Sequence, residues 1–155
     1  MTVKVQAEDF DVGAQIAALR AGDTRVGAVV SFVGTVRDVN PMEHLRTLTL
    51  EHYPGMTEVS LEAIIVRAKA RFDIFDCLII HRYGELKLCD QIVLVVVSSA
   101  HRGEAFAACE FVMDYLKTEA PFWKKEQTPQ GARWVDARIA DDRARSRWQA
   151  GTTGG

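Results

Sequence analysis

The sequence predicts a single α+β domain, a mixed or antiparallel sheet covered by helices, and three observations lead there. Segments with an apolar residue at every third or fourth position alternate with short β-branched runs. No internal repeat or Gly/Pro/Ser-rich linker divides the chain. With 155 residues, 48% hydrophobic and 26% charged, there is material for one apolar core and too little for a second.

The elements follow in order. The start, Met1-Thr2-Val3-Lys4-Val5, lacks the basic segment and long apolar core of a secretion signal. Residues 9–21 set Val12, Ile16 and Leu19 at helical spacing, with Asp9 or Asp11 as N-cap and Gly22 as the stop. Residues 26–36 are β-branched around Phe32, and 45–53 alternate with Leu48 and Leu50 on one side, so two strands are predicted. Between them, 37–44 hold the turn formers Asp38, Asn40 and Pro41, predicting a mobile surface loop.

Pro54-Gly55 breaks the second strand, and Thr57 is expected to cap a helix with Leu61, Ile64, Ala68 and Phe72 on one side. Residues 74–83 and 91–99 read as two further strands joined over 84–90. The run Ile92-Val93-Leu94-Val95-Val96-Val97 is far short of the roughly 20 residues that span a bilayer, so it is a buried strand. Over 103–119, Phe106, Cys109, Val112, Met113 and Leu116 predict a third helix, ended by Pro121. Residues 122–126 and 133–135 then flank Pro129-Gln130-Gly131 as a hairpin. Beyond residue 141 acids and arginines alternate and give way to Gly-Thr-Thr-Gly-Gly, with little to bury, so the domain is expected over 1–140 and a frayed tail over 141–155.

Charge and cysteine usage exclude several classes. Nineteen basic against 21 acidic residues leave a net charge of −2, so no bulk positive field recruits nucleic acid or anionic membrane, and any anion site must be local. Cys77, Cys89 and Cys109 are odd in number and lack CxxC spacing, against a disulfide framework or a cysteine zinc site. A reducing cytoplasm is the expected compartment. No phosphate-binding glycine loop, HExxH or Gly-x-Ser-x-Gly appears.

Two clusters of cations carry what chemistry the residues suggest. Ser98-Ser99-Ala100-His101-Arg102 opens the third helix, where unpaired N–H groups and a partial positive charge favour an anion, so His101 and Arg102 suggest an anion pocket. Read blandly, they are a helix-start hydrogen bonder and a surface cation. At the helix's other end stand Lys117 and then Lys124-Lys125-Glu126, beside Phe122 and Trp123. A lysine desolvated by aromatic rings or near other cations can act as nucleophile or acid–base group, whereas a lysine closing a helix often only complements its dipole. Arg37-Asp38 sits where a strand enters the turn-rich loop, as a ligand-clamping arginine or a loop salt bridge. Glu51-His52 and His81-Arg82 lie at strand ends without metal-site spacing and read as structural; Cys109, on an apolar helix face, reads as core.

Several long strings resemble the molybdopterin synthase catalytic (large) subunit family. They are Gly27-Ala28-Val29-Val30-Ser31-Phe32-Val33-Gly34-Thr35-Val36-Arg37, Leu48-Thr49-Leu50-Glu51-His52-Tyr53-Pro54-Gly55-Met56, His81-Arg82-Tyr83-Gly84-Glu85-Leu86, Ser99-Ala100-His101-Arg102, Met113-Asp114-Tyr115-Leu116-Lys117-Thr118 and Ala120-Pro121-Phe122-Trp123-Lys124-Lys125-Glu126. The similarity spans roughly 27–138. It implies an α/β-hammerhead-like fold and a sulfurtransferase of molybdenum cofactor biosynthesis. The implied substrate is cyclic pyranopterin monophosphate, and the implied sulfur donor is a small ubiquitin-like carrier subunit ending in a Gly-Gly thiocarboxylate. A homodimer within a heterotetramer is implied, with no cofactor and no metal. By position, Lys117 and Lys124 match the family's catalytic lysines, and Arg37, His101 and Arg102 its anion and pterin pocket. Phe32 and Met113 match pocket-wall positions, while Thr35, Val36, Lys125 and Glu126 border the substrate.

Overall fold

The computed structural model describes residues 2–38, 47–128, 131–135, 146 and 148–149. Among these the order is β1 (Thr2–Gln6), α1 (Val12–Arg20), β2 (Ala28–Thr35), β3 (Thr47–His52), α2 (Met56–Arg71), β4 (Asp76–Arg82), β5 (Gly84–Lys87), β6 (Gln91–Ser99), α3 (Arg102–Glu119), β7 (Phe122–Thr128) and β8 (Gly131–Val135). The α+β expectation holds, with the strands divided between two sheets. One has the order β1-β4-β6-β2, in which β1 and β4 are parallel and the other pairs antiparallel. The second, β5-β3-β7-β8, is antiparallel throughout.

Period-two alternation explains why the strands of the first sheet read as unbroken apolar runs: both of its faces are covered. Cys77 and Ile79 of β4 and Val93, Val95 and Val97 of β6 pack with Leu61, Ile64, Phe111, Val112 and Leu116 of α2 and α3. The intervening Leu78, Ile80, Leu94 and Val96 pack with Phe10 and with Val12, Ile16 and Leu19 of α1. A third, smaller cluster of Val36, Leu48, Leu50 and Leu86, with Ile92 against it, joins the second sheet to the first.

The predicted elements are present with local differences. Asp11 caps α1, its Oδ1 accepting from the Ala14 N–H at 3.0 Å. Thr57 does not cap α2: the N-cap is Gly55, whose N–H donates to the Glu58 carboxylate at 2.7 Å, and the Thr57 side chain is buried. In α3, Phe106 is 60% exposed, and Ala105 and Ala108 take the inward positions toward the helix start. Two strands went unread. β1 is a five-residue edge strand whose Val3 and Val5 reach the core, and β5 is four residues long with Leu86 its one buried side chain. The predicted hairpin forms, with Thr128 opposite Gly131, although Pro129 and Gln130 lie outside the described residues. Most of the predicted 37–44 loop and most of 141–155 also lie outside them. Within the expected tail, however, Trp148 packs on Phe72 and Phe111, its indole N–H bonds the Asp114 carboxylate, and its carbonyl accepts from Arg71.

Candidate functional site

Four elements converge at one end of the first sheet. His81 is on β4 at the same parity as Cys77 and Ile79, so its ring enters the side of the sheet that α3 covers. Because α3 follows β6 through a tight turn, it runs back along the sheet and brings Lys117, in its last turn, to the end where β4 finishes. The chain then turns at Ala120, whose carbonyl accepts from the Phe122 N–H at 2.8 Å, and enters β7.

The register of β7 against β3 decides which of its side chains face inward. His52 pairs with Phe122, Leu50 with Lys124 and Leu48 with Glu126. Cross-strand partners share a face, and Leu48 and Leu50 are buried, so Phe122, Lys124 and Glu126 lie on the inner side. Trp123 and Lys125, opposite Glu51 and Thr49, lie on the outer side, where the Trp123 indole donates to Glu51 at 3.2 Å. Adjacent lysines are thus separated by the pleat. Lys124 is half-buried and Lys125 exposed.

Aromatic rings cluster at the same end of the sheet. The His81 imidazole stacks on Phe122 with centroids 3.6 Å apart, and His52 lies 4.6 Å from Tyr83 and 6.1 Å from Phe122. Hydrogen bonding fixes both tautomers. His81 Nδ1 is 2.8 Å from the Arg82 carbonyl, which can only accept, so Nδ1 carries the hydrogen. Thr57 donates its one hydroxyl proton to the Tyr53 carbonyl at 2.8 Å, so its oxygen accepts from His52 Nδ1–H at 3.1 Å. Burial pushes the His81 pKa down from 6.5 to about 3, against the Arg82 carbonyl bond, and the positive charge of Lys117 and Lys124, with His52 nearby, pushes the same way. His81 is therefore neutral at neutral pH, and its Nε2 is unprotonated.

The other predicted residues are distributed as follows. Arg37 is exposed just beyond β2, where Thr35 pairs with Gln91 at the start of β6, so it is at the lysine end of the sheet. His101 caps α3 and Arg102 begins it, both exposed. At 1.5 Å per residue, Arg102 is about 22 Å along the helix from Lys117, so one chain does not bring these cations together. Phe32 is 39% exposed on β2 and Thr35 is exposed, while Val36 and Met113 are core residues at 4% and 8%. Glu126 shares the face of Lys124; Lys125 does not. Sequence reasoning missed His52, His81 and Tyr83 as members of this cluster. The signal for His81 was its parity, a polar residue at the inward position of an apolar strand.

Two lysines beside aromatic rings can hold an anion, stabilise developing negative charge and exchange protons with a bound molecule. The cysteines do not compete for that role. Burial pushes the thiols of Cys77 and Cys109 up to about 12, so neither is a thiolate nucleophile at neutral pH. Among the described residues no group of three or more His, Cys, Asp and Glu side chains is placed to hold a metal ion. None of the described helices is long and apolar enough to cross a membrane.

The site belongs to a recognisable sequence and fold. The family model for the MoaE protein matches residues 5–119. A protein of Ralstonia nicotianae named molybdopterin synthase catalytic subunit is 65% identical over 147 residues, which cover 95% of this chain and 84% of that one. The solved structure of the molybdopterin biosynthesis MoaE protein from Burkholderia ambifaria superposes with a TM-score of 0.81 at 56% identity, covering 96% of this chain and 98% of that one. The fold also recurs in a Helicobacter pylori complex of subunits 1 and 2 of molybdopterin-converting factor, with a TM-score of 0.72, 21% identity and coverage of 88% and 91%.

Proposed function

The chain belongs to the MoaE family, that of molybdopterin synthase catalytic subunits in molybdenum cofactor biosynthesis, and from that premise we propose the reaction it performs. It transfers sulfur from the C-terminal thiocarboxylate of a small ubiquitin-like carrier subunit to cyclic pyranopterin monophosphate, giving the dithiolene of molybdopterin. The observation that carries this reading is the convergence of Lys117 and Lys124 on the ring pair of His81 and Phe122.

The chemistry suits a site without a reactive cysteine. The thiocarboxylate sulfur is itself the nucleophile, so the catalytic subunit has to orient two partners, neutralise phosphate and move protons. Two transfers are needed: in each, a carbon–sulfur bond forms at a side-chain carbon of the pterin as a carbon–oxygen bond there breaks, its oxygen leaving as water or staying on the phosphate; water then cleaves the acyl–sulfur bond, leaving sulfur on the pterin and a carboxylate on the carrier. In this scheme Lys117 exchanges protons at the pterin carbons and Lys124 stabilises developing negative charge. Arg37 binds the anion from the same end of the sheet, with Phe32, Thr35, Val36, Met113, Lys125 and Glu126 along or behind the substrate path. The scheme needs no cofactor or metal, and its compartment is the cytoplasm.

His101 and Arg102 complete the site only from a second copy. A separation of about 22 Å is too great for one pterin to touch both cation groups of one chain. A two-fold dimer supplies the other end of a partner's α3, and β2, an edge strand of the first sheet, offers a surface for that association. Two carriers on such a dimer give a heterotetramer.

The test is reconstitution: purified chain, thiocarboxylated carrier and cyclic pyranopterin monophosphate, with molybdopterin read as its oxidised fluorescent derivative. Product that disappears in Lys117→Ala and Lys124→Ala supports the scheme. Full activity in both variants, or no product from an intact carrier-bound complex, overturns it.

A further inference from the structure

His81 is 5% exposed in a strand whose other residues of the same parity, Cys77 and Ile79, are apolar. Packing alone would be served there by a phenyl or aliphatic side chain, because a buried imidazole costs free energy unless its nitrogens are met. One is met, by the Arg82 carbonyl at 2.8 Å. No described donor lies within hydrogen-bonding distance of the other, Nε2. Among the described residues, then, a buried acceptor without a partner sits in the cationic cluster.

The charged and titratable groups around it are Lys117 from α3, Lys124 from β7 and His52 from β3, with Lys117 exerting the strongest field of the three on the ring. Arg82, on its own strand, faces the other side of the sheet and is occupied by the carbonyls of Ala7 and Gln91. Carboxylates on the same elements include Asp114, one turn before Lys117 and bonded to Trp148, Glu119, paired with Arg67, Glu51, bonded to Trp123 on the outer face, and Glu126, on the face of Lys124. Stacking on Phe122 prevents the ring of His81 from turning away.

Building on the sulfur-transfer reading above, we propose that His81 is a positioning residue for Lys117, its unprotonated Nε2 accepting a hydrogen bond from the lysine ammonium as the exposed lysine stem swings inward. The bond keeps the proton donor charged and aimed at the bound pterin. The imidazole remains neutral throughout and gives up no proton of its own.

The experiment measures Lys117 directly. Trace acetylation of the native protein across a pH series, quantified on the Lys117 peptide by mass spectrometry, gives the pH midpoint of its amine. His81→Phe keeps a ring on Phe122 and removes the acceptor; His81→Gln places an amide oxygen near the position of Nε2. Losing an acceptor for a charged donor is expected to move the midpoint down by about one pH unit in H81F. H81Q is expected to restore it, with kcat for sulfur transfer falling in H81F and recovering in H81Q at unchanged KM. An unmoved midpoint in H81F, with activity loss that follows Tm, overturns the proposal. If H81F does not fold, His81→Asn, which replaces Nδ1 alone, is read by the same midpoint and the same two outcomes. Labelling needs no turnover, so an inactive wild-type chain would sink the sulfur-transfer reading and leave the result for His81 intact.

Discussion

The imidazole of His81 and the phenyl ring of Phe122 lie almost parallel, inclined by 15° with centroids 3.6 Å apart. The stack joins the last inward position of β4 to the first residue of β7, and it holds a histidine in the neutral form. Folding therefore lowers the His81 pKa from 6.5 to about 3. Between those values the unfolded chain binds the proton that the folded chain refuses, so stability falls as pH drops through that window and this contribution levels off below it. The slope is at most about 1.4 kcal/mol per pH unit. Urea unfolding at several pH values should show this component in the native sequence and not in His81→Phe; identical pH dependence in the two would contradict it.

The pleat of β7 separates two neighbouring lysines. Lys124 is opposite buried Leu50, whereas Lys125 is opposite Thr49 on the outer face. Lys124→Ala is expected to lower sulfur transfer by on the order of 100-fold or more, the usual contribution of a positioned charge or proton-transfer group. Lys125→Ala should stay within a few-fold of the parent. Comparable losses in both would show that register does not select the working lysine.

Cations at the two ends of α3 predict complementation. Lys117→Ala and Arg102→Ala chains are each expected to be nearly inactive. Mixed and allowed to exchange subunits, they should recover about a quarter of native activity, because half of the dimers are mixed and each mixed dimer keeps one intact site. No recovery from a demonstrably exchanged mixture would overturn the site shared between two chains.

The three thiols should divide into one reactive and two protected. Cys89 is exposed in the turn between β5 and β6, while Cys77 and Cys109 are buried with thiols held near 12. A native titration with an aromatic disulfide reagent is expected to modify Cys89 quickly and the other two only on unfolding. Loss of sulfur transfer on modifying Cys89 alone would give that residue a role the lysine scheme does not contain.

Much of this arrangement was legible in the sequence because local and long-range preferences agree there. Ile92 to Val97 could only be a strand covered on both faces, and Cys109, Val112, Met113 and Leu116 could only be an inward helical stripe. Phe106 misled because the small Ala105 and Ala108 fill the inward positions where α3 closes on the sheet. Thr57 misled because a hydroxyl beside a helix start reads as a cap, while its bonds go to Tyr53 and His52. β1 and β5 are each completed by pairing rather than by their own pattern, with Ile79 opposite Val3 and Leu48 opposite Leu86. Lys117 and the Lys124-Lys125 pair stood out as cations beside aromatic residues, and the family resemblance singled out Lys117 and Lys124 among them. His52 and His81 were read as strand-end residues, since nothing in their spacing brings them together. Their meeting depends on the register that sets His52 across from Phe122 and on α3 folding back to the end of β4.

The small apolar joint of Val36, Leu48, Leu50, Leu86 and Ile92 has a mechanical meaning. Lys117 is carried by the helix clamped to the first sheet, and Lys124 by a strand of the second, so the two lysines straddle a seam. A force applied to the β7–β8 hairpin is transmitted along β7 through Lys124 and on through the turn at Ala120 to the last turn of α3, which carries Lys117. The hairpin is thus a lever arm with the joint as its fulcrum, coupled to both lysines through one continuous stretch of backbone.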